Sequence, residues 1–127
     1  MGSVKRFQDL IAWQKARAAT LLVYRWSARL PPEERFGAIA QMRRAAVSIS
    51  SNIAEGFGRG SAADFGRCLK IARGSLFEVM SQVDIASELW NLALDSELVD
   101  VLAETDRVLQ GLIRSVDSAA RREAPDR

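Results

Sequence analysis

The chain has 127 residues, 48% of them hydrophobic and 27% charged, with a formal net charge of +2. That size suits one domain that buries a real core, and neither a disordered composition nor an apolar run of membrane-spanning length is present. One cysteine, Cys68, and no histidine exclude an internal disulfide, a Cys/His zinc site and any catalysis that uses imidazole as base.

The start, "MGSVKRF", lacks the apolar segment of a secretory leader, so a cytoplasmic protein with no membrane partner is expected. A first helix is predicted over about residues 9–29, with Asp9 as N-cap. Ala12, Ala16, Ala19, Val23, Trp26 and Leu30 recur on one face, and Leu10, Trp13, Leu22 and Tyr24 broaden that stripe. Pro31-Pro32 ends it, because proline has no amide donor and restricts the residue before it.

A second helix is predicted over about 33–56, with Glu33 and Glu34 at its positive end. Its seam is Ile39, Met42, Ala46, Ile49 and Ile53, beside a polar stripe of Gln41, Arg44, Ser48, Asn52 and Glu55. Ser61 is the expected N-cap of a third helix over about 62–90. Phe65, Leu69, Ala72, Leu76, Val79, Val83, Ala86 and Trp90 step along it by fours and threes, as a bundle seam requires.

After a short turn at 91–96, with Asp95 or Ser96 as cap, a fourth helix is predicted over about 96–121. Its seam is Leu98, Leu102, Thr105, Leu109, Leu112, Val116 and Ala119. The charged tail "ARREAPDR" is expected to fray. Long helices with short connections predict an all-α, antiparallel up-down-up-down four-helix bundle over 1–127. Phe77, Met80, Val101, Val108 and Ile113 fall off the seams, a surplus that points to a subunit interface or to a thicker core.

The stretch 48–61, "SISSNIAEGFGRGS", is the main candidate for chemistry. Its G-x-G-x-G follows a helix rather than a strand and has no Lys-Ser/Thr after it, so neither a dinucleotide nor a Walker loop fits. Left-handed helix termination and tight reversal explain the glycines. Ser48, Ser50 and Ser51 have no base to activate them, and close helix approach explains them instead. Glu55 lies near the negative end of its helix and needs a donor, with Arg59 and Arg73 as candidates.

Charge is unevenly distributed. Residues 1–73 hold 13 Lys/Arg against 5 Asp/Glu (+8), and residues 74–127 hold 5 against 11 (−6). The basic set Lys5, Arg6, Lys15, Arg17, Arg43, Arg44, Arg59, Arg67, Lys70 and Arg73 is the candidate nucleic-acid-binding surface. No RRM or KH signature accompanies it, so little base readout is expected. The alternative is a structural or protein-interaction scaffold in which the basic half meets Asp84, Glu88 and Glu104 of a neighbouring subunit. No catalytic residue, metal site or cofactor is expected, and an enzyme ranks well behind both readings.

Three blocks carry a resemblance: "FQDLIAWQKA" (7–16), "QMRRAAVSISSNIAEGFGR" (41–59) and "LKIARGSLFEV" (69–79). They resemble the bacterial four-helix bundle family of rRNA intervening-sequence, or ribosomal-protein-like, proteins, which includes the accessory protein of diversity-generating retroelements. The resemblance spans about residues 6–115. It implies a homopentamer of four-helix bundles and, in the retroelement branch, a basic surface for nucleic acid and a partner protein. Asn52, Glu55, Gly56, Arg59, Arg73, Gly74 and Ser75 match the family blocks. With Phe77 and Met80, Asn52, Glu55, Gly56, Gly74 and Ser75 form the expected set of structural or assembly residues. The acidic second half departs from the strongly basic accessory protein.

Overall fold

The structure, a computed structural model, describes residues 4–123. The last four residues of the tail expected to fray lie outside them. Four α-helices follow in order: α1 Ile11–Ser27, α2 Ala38–Gly58, α3 Ala62–Leu89 and α4 Ser96–Glu123, with no strand among the described residues. Two single-turn 3-10 segments, Phe7–Asp9 and Pro32–Glu34, precede α1 and α2.

Each helix touches its neighbours in chain order, and α4 closes on α1. Polar pairs across the seams fix the directions. Thr20 donates to the Ala46 carbonyl and Arg43 to Ser27 Oγ, so α2 descends as α1 ascends. The same inverse order runs through Ser48–Ser75 and Gly56–Cys68, through Lys70–Asp117 and Arg73–Asp106, and through Lys15–Glu104 and Arg29–Asp95. The result is an antiparallel up-down-up-down bundle.

The seams form the core. Val23, Met42, Ile49, Ile53, Leu69, Leu76, Val79 and Leu109 are completely buried, each side chain contributing about 1.5–3 kcal/mol over exposure. Trp26 is buried as well, and its indole Nε1 donates to the Ala93 carbonyl at 2.9 Å, tying the end of α1 to the α3–α4 connection. Tyr24, expected to widen the α1 stripe, is instead exposed. Met80, Val101, Val108 and Ile113 pack against the core, so these four of the surplus residues thicken it, while Phe77 stays exposed.

The helix ends show where local chemistry overrode the simplest reading. Asp9 does not cap α1: it sits in the 3-10 turn, 3.9 Å from Arg6, and Leu10 is the N-cap, with no side-chain bond. The prolines take up a 3-10 turn of their own, which delays α2 to Ala38. Glu34 Oε1 then accepts from the Ala38 amide at 3.4 Å, so its carboxylate serves the helix from outside it.

Ser61 caps α3 as expected, accepting from the Asp64 amide at 3.2 Å. The far end of α3 closes on Asn91, a left-handed residue (φ 49°). Leu92 donates to the Ser87 carbonyl and Asn91 to that of Glu88, the bonding of a Schellman motif. α4 starts at Ser96, with the Val99 amide bonded to the Asp95 carbonyl.

Candidate nucleic-acid interface

The serine–glycine stretch is a helix end. α2 runs through Gly58, Arg59 is its C-cap and Gly60 takes the left-handed conformation (φ 89°) that lets the chain reverse into α3. Gly56 has another role: it is buried, and a Cβ there would stand 2.6 Å from Cys68 Cβ. It lets α2 approach α3 closely at this position.

One helical turn or two away, Ser48 Oγ and Ser75 Oγ are hydrogen-bonded at 2.9 Å, and Asn52 Nδ2 donates to the Ser48 carbonyl and hydroxyl at 2.8 and 3.0 Å. This small network pins the register of α2 against α3. Glu55 lies outside it, exposed, with Arg59 Nη2 at 3.6 Å. A surface pair at (i, i+4) of this kind is worth only a few tenths of a kcal/mol. Gly74, grouped with these residues in the sequence, is exposed and a Cβ there would meet nothing within 4 Å.

Much of the expected basic surface is neutralised inside the chain. Lys15 meets Glu104 at 2.7 Å, Lys70 meets Asp117 at 3.0 Å and Arg73 Nε meets Asp106 at 2.7 Å. The acidic half of the sequence is therefore laid along the basic half by α4. Glu104, expected to reach a neighbouring subunit, is occupied within its own. The Lys15 hydrogen bond, then its charge, hold the Glu104 carboxyl below the usual glutamate range. The hydrogen bond to Asp106 pushes the Arg73 guanidinium up from its already high value, against a smaller opposing effect of burial. Arg67 lies 3.8 Å from Asp64, and Arg6 is taken by Asp9.

Lys5, Arg17, Arg43 and Arg44 have no carboxylate within 4 Å among the described residues. Arg43 and Arg44 lie together, and the structure adds Arg35, which sequence periodicity could not place. The three arginines line an open groove of about 560 Å³ with Tyr24, Phe36 and Val47. Arg43 is held in place: Nε donates to Ser27 Oγ (2.9 Å), Nη2 donates to the Tyr24 carbonyl (3.1 Å), and the guanidinium lies 4.6 Å from the Tyr24 ring centroid. Arg35 lies 5.0 Å over the Phe36 ring, which is 85% exposed. The sequence offered only that Phe36 belongs to no seam, and nothing for Arg35, because the predicted second helix began at Glu33 and took in both residues, which the structure places before α2.

Positive charge without a carboxylate partner, beside aromatic rings at a groove, suits a polyanion that carries flat bases. The described residues hold no group of three or more Cys, Asp or Glu with the spacing to bind a metal ion, and none of their helices is long and apolar enough to cross a membrane. No curated protein sequence matches the chain. The family model for the 23S rRNA-intervening sequence protein matches residues 8–114, most of the chain and the greater part of all four helices. The chain belongs to the 23S rRNA-intervening sequence protein family.

Proposed function

We propose that the chain is a non-enzymatic, homo-oligomeric protein that binds RNA or DNA through phosphate contacts at the α1–α2 groove, with little sequence readout. The observation that carries this reading is the contrast in pairing. α4 carboxylates occupy Lys15, Lys70 and Arg73, whereas Arg35, Arg43 and Arg44 have no carboxylate partner among the described residues. Guanidinium groups match phosphate oxygens bidentately, and such binding releases counterions and falls with salt.

Self-association belongs to the same proposal, a homopentamer being the assembly that the family resemblance implies. It is supported by Ile85 and Leu89, exposed at the rim of an apolar groove between α2 and α3, where the buried Gln82 Oε1 has no hydrogen-bond partner. Repetition of the arginine groove in an oligomer would raise avidity for a long strand. A scaffold that uses these surfaces for a partner protein is the competing reading, favoured by the same apolar rim.

Fluorescence anisotropy with labelled RNA and DNA from 50 to 300 mM salt tests the proposal. Affinity should fall steeply with salt, and Arg35→Glu/Arg44→Glu should weaken it at least about tenfold. Unchanged affinity in that variant, shown by circular dichroism to be folded, rejects the groove as the binding surface.

A further inference from the structure

We propose that the groove takes unpaired nucleotides, with a base stacked on Phe36, so that a single strand is preferred over a duplex. This rests on the nucleic-acid reading above and adds the class of substrate to it.

Phe36 is presented rather than left loose. The turn that carries it is bonded on both sides, with the Glu34 amide donating to the Pro31 carbonyl, Arg35 to Pro32 and Gly37 to Glu34 at 2.9–3.1 Å. Its ring projects with 85% exposure, the highest among the exposed large apolar side chains of the described residues. Arg35 covers one face at 5.0 Å, which leaves the opposite face for a flat ligand.

The other aromatic rings are already engaged. Phe7 packs edge-on against Trp13 and Phe57 against Phe65. Trp26 is buried and Trp90 packs against the core. Tyr24 lies under Arg43, and Phe77 lies under Arg73, which Asp106 holds. Phe36 and Tyr24 both combine exposure with a neighbouring cation that has no carboxylate partner among the described residues, and Phe36 is the more accessible ring, at 85% exposure against 41%.

Two carboxylates lie close by in sequence. Glu34 is engaged by the Ala38 amide, and Glu33 is exposed with no ion pair among the described residues. Glu78 shares the neighbouring surface pocket with Arg44, but no carboxylate lines the groove that holds Arg35, Arg43 and Arg44, so the groove favours an anion. In a duplex both faces of each base are covered by its neighbours, and a protruding phenyl ring gains nothing without unstacking them. In a single strand a base face is free, and stacking adds to the phosphate contacts.

The experiment uses the full chain with fluorescein-labelled 20-mers of unstructured RNA, the same sequence as DNA, and the matching duplexes, at one salt concentration. The wild type should bind the single strands about tenfold or more tighter than the duplexes. Phe36→Ala should bring single-strand affinity down to the duplex level while keeping the salt dependence, and Phe36→Trp should restore the preference. The RNA and DNA arms show which sugar is favoured.

Equal wild-type affinity for strand and duplex, or a strand preference that survives Phe36→Ala, overturns the inference but leaves phosphate binding standing. Absence of binding to any of the probes overturns both. Light scattering on Phe36→Ala supplies one further check. A change of oligomer mass with unaltered nucleic-acid affinity would assign Phe36 to a contact between copies and overturn the stacking role.

Discussion

Gly56 and Cys68 bring α2 and α3 together so closely that a methyl group has no room: a Cβ on Gly56 would lie 2.6 Å from Cys68 Cβ and 3.1 Å from Phe65 Cδ1. The contact sits on the most extensive helix–helix interface of the bundle, below the Ser48–Ser75 hydrogen bond. Sequence, packing and register meet here, because the small residues let the backbones approach and the hydroxyl pair fixes how they align.

Gly56→Ala is therefore expected to destabilise the fold by about 1–3 kcal/mol, the usual range for overpacking, against a small gain in helix propensity. The urea midpoint measures it. Because the nearest contact is to Cβ, Cys68→Ala should not rescue the variant, whereas Cys68→Gly should recover part of the loss. Rescue by Cys68→Ala would place the strain at the sulfur instead.

Gly74→Ala should act in the opposite direction. The added Cβ meets open space, and alanine in a helix interior is favoured over glycine by about 0.5–1 kcal/mol. The urea midpoint should rise. If the α3 surface around Gly74 lies against another subunit, the same variant should lower the mass seen by light scattering. A stabilised variant of unchanged mass would remove Gly74 from the assembly surface.

Every α1 seam position from Ala12 to Leu30 and the α2 seam from Ile39 to Ile53 are buried, as the 3.6-residue period required. The Ser61 cap was legible because serine at a helix start has a specific backbone partner. The start of α2 was not: Glu34 serves that helix through its side chain while lying outside it, and periodicity is blind to that. The charge asymmetry was visible, but its pairing was not, since only the antiparallel packing of α4 decides which carboxylate meets Lys15, Lys70 or Arg73. Phe36 and Arg35 were missed because a turn residue has no stripe to identify it.

The Lys15–Glu104 pair gives a pH dependence with a definite sign. The Glu104 carboxyl is held below its ordinary value by the Lys15 hydrogen bond and charge. A carboxylate more acidic in the folded than in the unfolded state adds stability above its unfolded pKa, about 4.3. That contribution is lost as pH falls through the lower folded value. Lys15→Met should therefore be less stable than wild type at pH 7, with the difference narrowing below about pH 4. The effect should be small, since the two side chains remain 35% and 39% exposed. A difference that stayed constant between pH 7 and pH 3 in urea titrations would mean that Lys15 acts through packing of its alkyl chain.

The α4 carboxylates offer a test of how internal pairing limits the binding surface. Asp106 and Asp117 occupy Arg73 and Lys70, which lie one turn apart on α3. Replacing both with asparagine keeps the shape and releases two cations. If phosphates bind only at the α1–α2 groove, affinity should rise modestly through the more positive overall field, with the salt slope unchanged. If a strand also tracks along α3, the slope of log affinity against log salt should steepen by roughly 1–2, since each added phosphate contact contributes about 0.7–0.9. Anisotropy across salt separates the two, and an Arg35→Glu/Arg44→Glu background shows whether the α3 cations bind by themselves. Loss of affinity in the Asp106→Asn/Asp117→Asn variant, with its fold intact, would contradict the masking role assigned to α4.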